Sequence, residues 1–502
     1  MFDQLSAFGS GFGLFMDLEV LLSIVTGVSV GIIIGVLPGL TVVMAISLAL
    51  PFTFALSPVA AIAMLISIYK GGMFGGSISS ILIGTPGTPS GAAAVLDGYP
   101  LCKKGYAKKA LDIALYSSVL AELVSNTLTV IVTLQIAYLA LKIGPAEYFV
   151  IIAFALTIIA SVSGRSITKG LIAGGLGMLL ATVGMDSMYH TTRFVFKQIN
   201  LYAGFALVPV LVGIFAIPEI IEQIKSIKFE SAQTVDPDVD LDKAKSLKRK
   251  ELKPLLRTIF EGSIVGSIIG IIPGIGAEVS TWVSYGRAKK RSKHPEEFGQ
   301  GSMTGLAAAE SGNSGCNGPN LIPVLTLGIP ASSSMAILLA ALMIKGIRPG
   351  PMLFRDNMDI VAGIFISLLA GNIALFFLGK LTIKYSALII KVPKELLYSS
   401  IFVMCVFGSY AINNSIFDIW VFLAFGGFGF FMKKFELPLP AFIVAFILST
   451  LFENGMRRAL IAFDGNLITI AMRPIVAFFL LLILLVFVML IRKKIIEIRK
   501  VK

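Results

Sequence analysis

The chain has 502 residues, of which 56% are hydrophobic and 14% charged, and its mean hydropathy is +0.89. Soluble domains carry about a quarter charged residues, so a soluble globular fold is excluded and a polytopic membrane protein is indicated. The net charge of +13 does not point to nucleic acid, because the basic residues sit in short loops between apolar stretches and at the C-terminus, the positive-inside pattern. Cys102, Cys316 and Cys405 are widely spaced, and His190 and His294 are the only histidines. No zinc, haem or disulfide framework is predicted from them. Nor is there a nucleophile–base pair or metal cluster of the kind an intramembrane enzyme needs. The N-terminus lacks the basic region of a cleavable signal, so the first apolar segment is expected to remain.

Residues 1–69 contain no Lys or Arg, while Asp3, Asp17 and Glu19 are acidic, which predicts an extracytoplasmic start. Residues 27–40 read GVSVGIIIGVLPGL and place Gly27, Gly31 and Gly35 along one helical face. Such a face lets another backbone approach closely. Pro38-Gly39 then breaks the helix. Residues 20–37 and 41–54 flank that break, and a third apolar stretch, residues 59–68, ends at Tyr69-Lys70. Residues 70–100, KGGMFGGSISSILIGTPGTPSGAAAVLDGYP, are too apolar for a surface loop and too rich in Gly, Pro and Ser for a regular helix. A re-entrant or unwound membrane segment is expected there. Lys103, Lys104, Lys108 and Lys109 mark a cytoplasmic loop, and residues 110–141, 148–162, 170–183 and 204–217 read as helices. Residues 222–257, with nine basic residues and an acidic alternation between Asp236 and Asp242, read as a cytoplasmic linker.

The second half repeats the plan. Residues 262–275, GSIVGSIIGIIPGI, match the first motif through Gly27/Gly262, Gly31/Gly266, Gly35/Gly270, Pro38/Pro273 and Gly39/Gly274. A polar stretch, AAAESGNSGCNGPN at residues 307–320, leads into LIPVLTLGIPASSS at residues 321–334. The latter aligns with the first half through Gly84/Gly328, Pro86/Pro330 and Ser90/Ser334. LIAGGLG at residues 171–177 and LAFGGFG at residues 423–429 carry the repeat further. The expected division is a repeat over residues 1–221, the linker, an inverted repeat over residues 258–470, and an extra helix with a basic tail over residues 471–502.

Loop charges orient the repeats. In the first half the loop after the Pro-Gly motif, residues 54–57, is uncharged, and the loop after the second motif, residues 103–109, carries four lysines. In the second half residues 287–293 hold five basic residues and residues 345–355 hold three. Equivalent loops thus prefer opposite sides of the membrane. The expected fold is all-α and polytopic, with roughly 11–14 transmembrane or re-entrant helical segments in two inverted-topology repeats with broken helices.

Several motifs together resemble a known family. Pro38-Gly39, the 70–89 stretch, Asp97-Gly98-Tyr99-Pro100 and Pro273-Gly274-Ile275-Gly276 fit the pattern, as do Glu310-Ser311-Gly312-Asn313, residues 325–330 and residues 345–351. They are similar to the TctA family, the large membrane subunit of tripartite tricarboxylate transporters. The resemblance spans nearly the whole chain. It implies a prokaryotic inner-membrane protein that works with a small TctB-like membrane subunit and a TctC-like extracytoplasmic solute-binding protein. It also implies uptake of citrate-like or other carboxylates coupled to a cation, with Na+ the expected ion and H+ the alternative. The chain departs from the family where it reads Ser314-Gly315 after Asn313, Ala331 after Pro330, and Lys70 in a slot expected to be small or neutral.

Carboxylates are recognised by helix N-termini, hydroxyls and cations. On that basis Thr85, Pro86, Gly87, Thr88 and Ser90 in one half, and Pro330, Ser332, Ser333 and Ser334 in the other, are candidate substrate ligands. The competing reading is that these small residues only permit tight packing. Na+ needs oxygen ligands, which unwound carbonyls and Ser, Thr and Asn oxygens supply. Gly39, Thr41, Gly274, Gly276, Asn313 and Asn317 are therefore candidate cation-coupling positions. Glu310 is the sharpest of these, because a carboxylate between apolar helices is costly unless it functions, and Glu278 is weaker. Lys70 has three readings: it meets a substrate carboxylate, its ammonium takes the place of a cation, or it snorkels to the headgroups. The functional expectation is a cation-coupled importer working by alternating access. The alternatives are an uncoupled channel or scaffold subunit, or proton-coupled transport of a different small solute.

Overall fold

The computed structural model describes residues 2–37, 39–140, 143–162, 166–186, 188–227, 246–389 and 394–501, nearly all helical. α1 (Phe2–Phe15) precedes a helical hairpin made of α2 (Leu18–Val36) and α3 (Val42–Ala49). Asp17 caps α2 by accepting from Glu19 N at 3.1 Å. The turn uses Gly39 at φ +87°, and Pro38 lies outside the described residues. After a short 3-10 turn (Leu50–Ala55) the chain is back beside its start, where Ser57 N donates to both carboxylate oxygens of Glu19 at 3.2 Å.

α4 (Pro58–Leu82) is one continuous helix of 25 residues, so residues 70–82 are not unwound as their composition predicts. The cause is what lies opposite them. α4 runs parallel to α2 with glycines on both faces. A Cβ on Gly31 would strike Ile68 O and Gly72 N, one on Gly35 would strike Gly72 O, and one on Gly75 would strike Ile32 O. Glycines that weaken an isolated helix here let two main chains touch. The break comes later, at residues 83–88, where Gly84 takes φ +74°. The 3-10 turn Pro89–Gly91 and α5 (Ala92–Leu101) follow.

α6 (Ala107–Ala140), α7 (Pro145–Val162), α8 (Ile167–Ala181) and α9 (Leu207–Ile227) complete the first half, with a two-residue antiparallel ladder pairing Gly184 with Arg193 and Met185 with Thr192. α9 takes in residues 222–227 and α10 (Arg249–Gly270) takes in residues 249–257, so both ends of the expected linker are helical. Isoleucines at 221, 224 and 227 continue the apolar face of α9. At the other end, Lys248 N donates to Glu251 Oε2 at 2.9 Å and starts α10. The alternation between Asp236 and Asp242 lies outside the described residues.

The second hairpin is α10 with α11 (Gly276–Arg291), joined through Gly274 at φ +83°. Its open end is closed by Glu261, which meets Arg257 at 3.4 Å, Arg287 at 3.8 Å, and Arg291. Gly262, Gly266 and Gly270 press on Ser311, Gly315 and Cys316, as the glycines of α2 press on α4. Those partners belong to α12 (Met303–Ser314) and the turn after it; α13 (Leu321–Leu327), Gly328 at φ +68° and α14 (Ser333–Ile344) follow. Lys345 Nζ donates to Phe54 O at 2.9 Å and Leu56 O at 2.6 Å, so α14 ends where α4 begins. Conversely, Asp97 of α5 binds the residues that lead into α12. The two helix–break–helix units therefore run antiparallel, and the two hairpins open at opposite ends. This is the inverted arrangement that the loop charges predict.

α15 (Pro351–Asp356), α16 (Met358–Ile389), α17 (Lys394–Asn413), α18 (Ile416–Lys434), α19 (Leu439–Ala462), α20 (Leu467–Ala471) and α21 (Pro474–Val501) follow. The last lies within residues 471–502. α8 packs on α19 and α9 on α18, crossing between the halves. Among the described residues, seven helices are long and apolar enough to cross a membrane and six shorter ones are apolar. Their outer faces expose Leu123, Ile131, Phe377, Leu381 and Leu484, as expected of surfaces against lipid. The chain is an all-α polytopic membrane protein.

Candidate functional site

The starts of four helical stretches meet at one place. A cavity of about 550 Å³ is lined by Thr41, Thr88 and Ser90 from the first half and by Gly274, Gly276 and residues 330–334 from the second. Each of these stretches starts a helix. Thr41 Oγ1 accepts from Met44 N at 3.2 Å, Thr88 Oγ1 from Gly91 N at 3.2 Å, and Ser332 Oγ from Met335 N at 3.4 Å. α11 starts at Gly276, whose φ is +67°. The repeat is visible in these details: Gly84 and Gly328 are both left-handed, and the residue four positions after each is an N-cap. The two breaks of the second half are tied together by Gly274 N donating to Ala331 O at 2.9 Å.

The electrostatics follow from that convergence. Each helix N-terminus carries about half a positive charge, so the four ends together present roughly two. Against them stand Glu278, in the first turn of α11, and the Glu219–Lys433 pair at one rim, which meets at 3.2 Å. An anion fits among the helix ends, and Glu278 opens onto the same space.

Behind the cavity lies a buried polar layer. Tyr69 lines the cavity and its hydroxyl accepts from Asn320 Nδ2 at 3.1 Å. Its neighbour Lys70 points away, where Nζ meets Glu122 Oε2 at 3.1 Å, donates to Leu368 O at 2.6 Å, and also donates to Asn372 Oδ1. Asn317 Nδ2 donates to Glu122 Oε1 at 2.5 Å, and Asn126 Nδ2 to Asn372 Oδ1 at 3.1 Å. Glu310 Oε2 accepts from Ser77 at 2.8 Å and Ser118 at 3.4 Å. Glu310 Oε1 and the Oδ1 atoms of Asn313, Asn317 and Asn320 are buried without a hydrogen-bond donor. Buried acceptors left unpaired are costly, and a cluster rich in oxygens and short of donors is what a cation requires.

The sequence-selected residues thus divide. Thr41, Thr88, Ser90, Gly274, Gly276, Pro330, Ser332, Ser333 and Ser334 line the cavity. Thr85 and Pro86 are exposed and do not line it, and Gly87 is packed against Gly35 and Gly76. Gly39 turns under the Gln223 side chain, outside the lining. Thr41, Gly274 and Gly276 therefore line the same cavity as Thr88, Ser90 and residues 330–334. Glu310, Asn313 and Asn317 belong to the polar layer, and Lys70 does too.

Sequence reasoning missed Glu122, Asn372 and Tyr69. The signal for Glu122 was present, since it is a lone carboxylate inside an apolar run. Asp97, quoted only as part of a motif, is a buried clasp. Its Oδ1 accepts from Gly299 N at 2.8 Å, Gly301 N at 2.9 Å and Ser302 N at 2.8 Å, and its Oδ2 from Tyr285 OH at 3.0 Å. Asp97→Ala strands those donors and is expected to cost about 3 kcal/mol or more. Thermal unfolding in detergent should register it as a fall in Tm of roughly 5 °C, with Asp97→Asn much milder.

Comparisons with known proteins identify the family. The family described as the tripartite tricarboxylate transporter TctA family matches residues 21–444. The chain belongs to the TctA family. It is 34% identical over 434 residues to an uncharacterised 52.8 kDa protein of the TAR-I ttuC' 3' region in Agrobacterium vitis, covering 86% of this chain and 85% of that one. A second Agrobacterium vitis protein, from the TAR-II ttuC' 3' region, is 32% identical over 202 residues, which is 40% of this chain and 84% of that one. No solved structure matches this chain. As a TctA-family protein it is the large membrane subunit of a transporter, and no group of three or more metal-ligating side chains occurs among its described residues.

Proposed function

We propose that this TctA-family subunit imports carboxylates, holding the substrate anion among the four helix N-termini and coupling its passage to Na+. The convergence of those helix ends on one cavity carries the reading, because backbone N–H groups at helix starts bind carboxylates without a cationic side chain. Coupling follows from the charges. A carboxylate in the cavity faces Glu278, and two anions brought together out of water need a cation between or beside them. The oxygens of Glu310, Asn313 and Asn317 supply a place for it. A proton serves the same balance if Glu310 or Glu278 takes it up.

The basic loops support one orientation. Lys103, Lys104, residues 287–293 and Lys433 lie at the Asp97 end, which is cytoplasmic by the positive-inside rule. The protein then sits in the prokaryotic inner membrane with Ser57 and Lys345 outside, and the cavity reaches its Glu219–Lys433 rim on the cytoplasmic side. A second cavity of about 800 Å³ lies at the outer end, lined by Tyr148, Arg348, Pro349, Gly350 and Arg458. Gly328 separates the two, for a Cβ there would stand 3.3 Å from Tyr148 OH and 3.5 Å from Pro349 O. Residues 328–332 thus form the partition that alternating access has to move. A solute-binding protein of the TctC type delivers substrate to the outer cavity, and a TctB-like subunit completes the complex.

Calorimetric titration of the purified chain with citrate tests the binding half of this reading. Affinity is expected to rise at least tenfold when Na+ replaces choline. Equal affinity in both salts would remove the coupling, and no binding of citrate or a shorter dicarboxylate would remove the site.

A further inference from the structure

Three readings of Lys70 arise from sequence, and its surroundings bear on each. The residue sits in the middle of α4 and is 1% exposed, so its ammonium does not reach the headgroups. It does not line the central cavity. Its ammonium donates to Leu368 O and Asn372 Oδ1 and stands 3.1 Å from Glu122 Oε2 as an ion pair, so its donors face the polar layer and not the cavity.

What surrounds Nζ is a cage of oxygens contributed by two helices: a carboxylate from α6, and an amide oxygen and a main-chain carbonyl from α16. Two more oxygens stand close by without donors. Ser67 Oγ and Lys70 Nζ both lie 3.7 Å from the position a Cβ would take on Gly371, and Asn126 hydrogen-bonds the same Asn372 oxygen through its Nδ2 while its own Oδ1 is unpartnered. One carboxylate with several neutral oxygens is the ligand set of a hard monovalent cation. Asn317 joins this cage to the polar layer through Glu122 Oε1.

We propose that the Lys70 ammonium is a tethered cation. It fills a monovalent-cation site permanently, so that this chain carries one mobile coupling ion fewer than a chain with a small neutral residue there. The inference rests on the coupled-import reading for its consequence but not for its test. Truncating the lysine at Cβ leaves the oxygens and opens the room that its chain and ammonium occupy. Lys70→Ala is therefore expected to gain a Na+ site.

The experiment is thermal unfolding of the full-length chain in detergent, with Na+ exchanged for choline at constant ionic strength and no substrate present. Lys70→Ala is expected to rise in Tm by roughly 5 °C with saturating Na+, beyond any shift in the parent protein. Lys70→Met, which refills the space without a charge, is expected to show no added response, and Lys70→Ala with Glu122→Gln is expected to lose it. A Lys70→Ala protein that folds only in Na+ supports the inference equally. An Ala variant that responds no more than the parent overturns it, as does one that fails to fold in either salt or a response that survives Glu122→Gln. Uptake by the parent protein is read separately. Were that uptake indifferent to Na+ while Lys70→Ala still gained the site, the coupling would fall and the tethered cation would stand.

Discussion

Glu310→Gln is expected to reduce cation-driven uptake about a hundredfold while leaving the protein folded. The carboxylate is 1% exposed, with one oxygen held by Ser77 and Ser118 and the other without a donor. A charge in that position is expensive for the fold and favourable only when a cation or proton meets it. Glutamine keeps the shape and removes the charge, so the fold loses little and the ion loses its strongest ligand. Loss of a charged, buried partner is worth roughly 3 kcal/mol, which is the hundredfold. Initial uptake rates against Na+ concentration, with Tm recorded in parallel, check this. Undiminished Na+-dependent uptake would place the ion elsewhere.

Ser333→Asp is expected to move stability and binding in opposite directions. Ser333 is the first residue of α14 and lines the cavity. An aspartate there interacts favourably with the helix dipole, worth about 0.3–1 kcal/mol, so Tm should hold or rise slightly. The same charge stands where the substrate carboxylate would, and like charges in contact cost several kcal/mol. Citrate affinity is expected to fall at least a hundredfold, with Ser333→Ala close to the parent. If the aspartate variant binds as tightly as the parent, the anion does not lie at these helix ends.

The breaks were legible in the sequence because what makes them is local. Gly84 and Gly328 need a left-handed backbone, Thr88 and Ser332 are cap residues, and both pairs recur at one offset. Loop lysines gave the antiparallel arrangement for a similarly simple reason, since charge counts do not depend on packing. Residues 70–82 were misread because a glycine's role depends on what faces it. The same GG pairs unwind a lone helix and, opposite Gly31 and Gly35, hold two helices together. The polar layer was legible only in part. Glu310 stood out against its neighbours, whereas Asn372 becomes a ligand of Lys70 only through a fold that joins positions 302 residues apart. The shared cavity was not legible on the same ground: nothing in either motif says that residues of both open onto one space.

Gradient-driven uptake is the most direct test of the account. The chain, reconstituted with its small membrane subunit and supplied with its solute-binding protein, is given radiolabelled citrate and shorter carboxylates under an imposed inward Na+ gradient, a proton gradient, or neither. The account predicts accumulation of a carboxylate above equilibrium with the Na+ gradient and its collapse when the gradient is dissipated. Uptake of every carboxylate at the same rate and to the same level with and without the gradients would contradict it and leave an uncoupled pore.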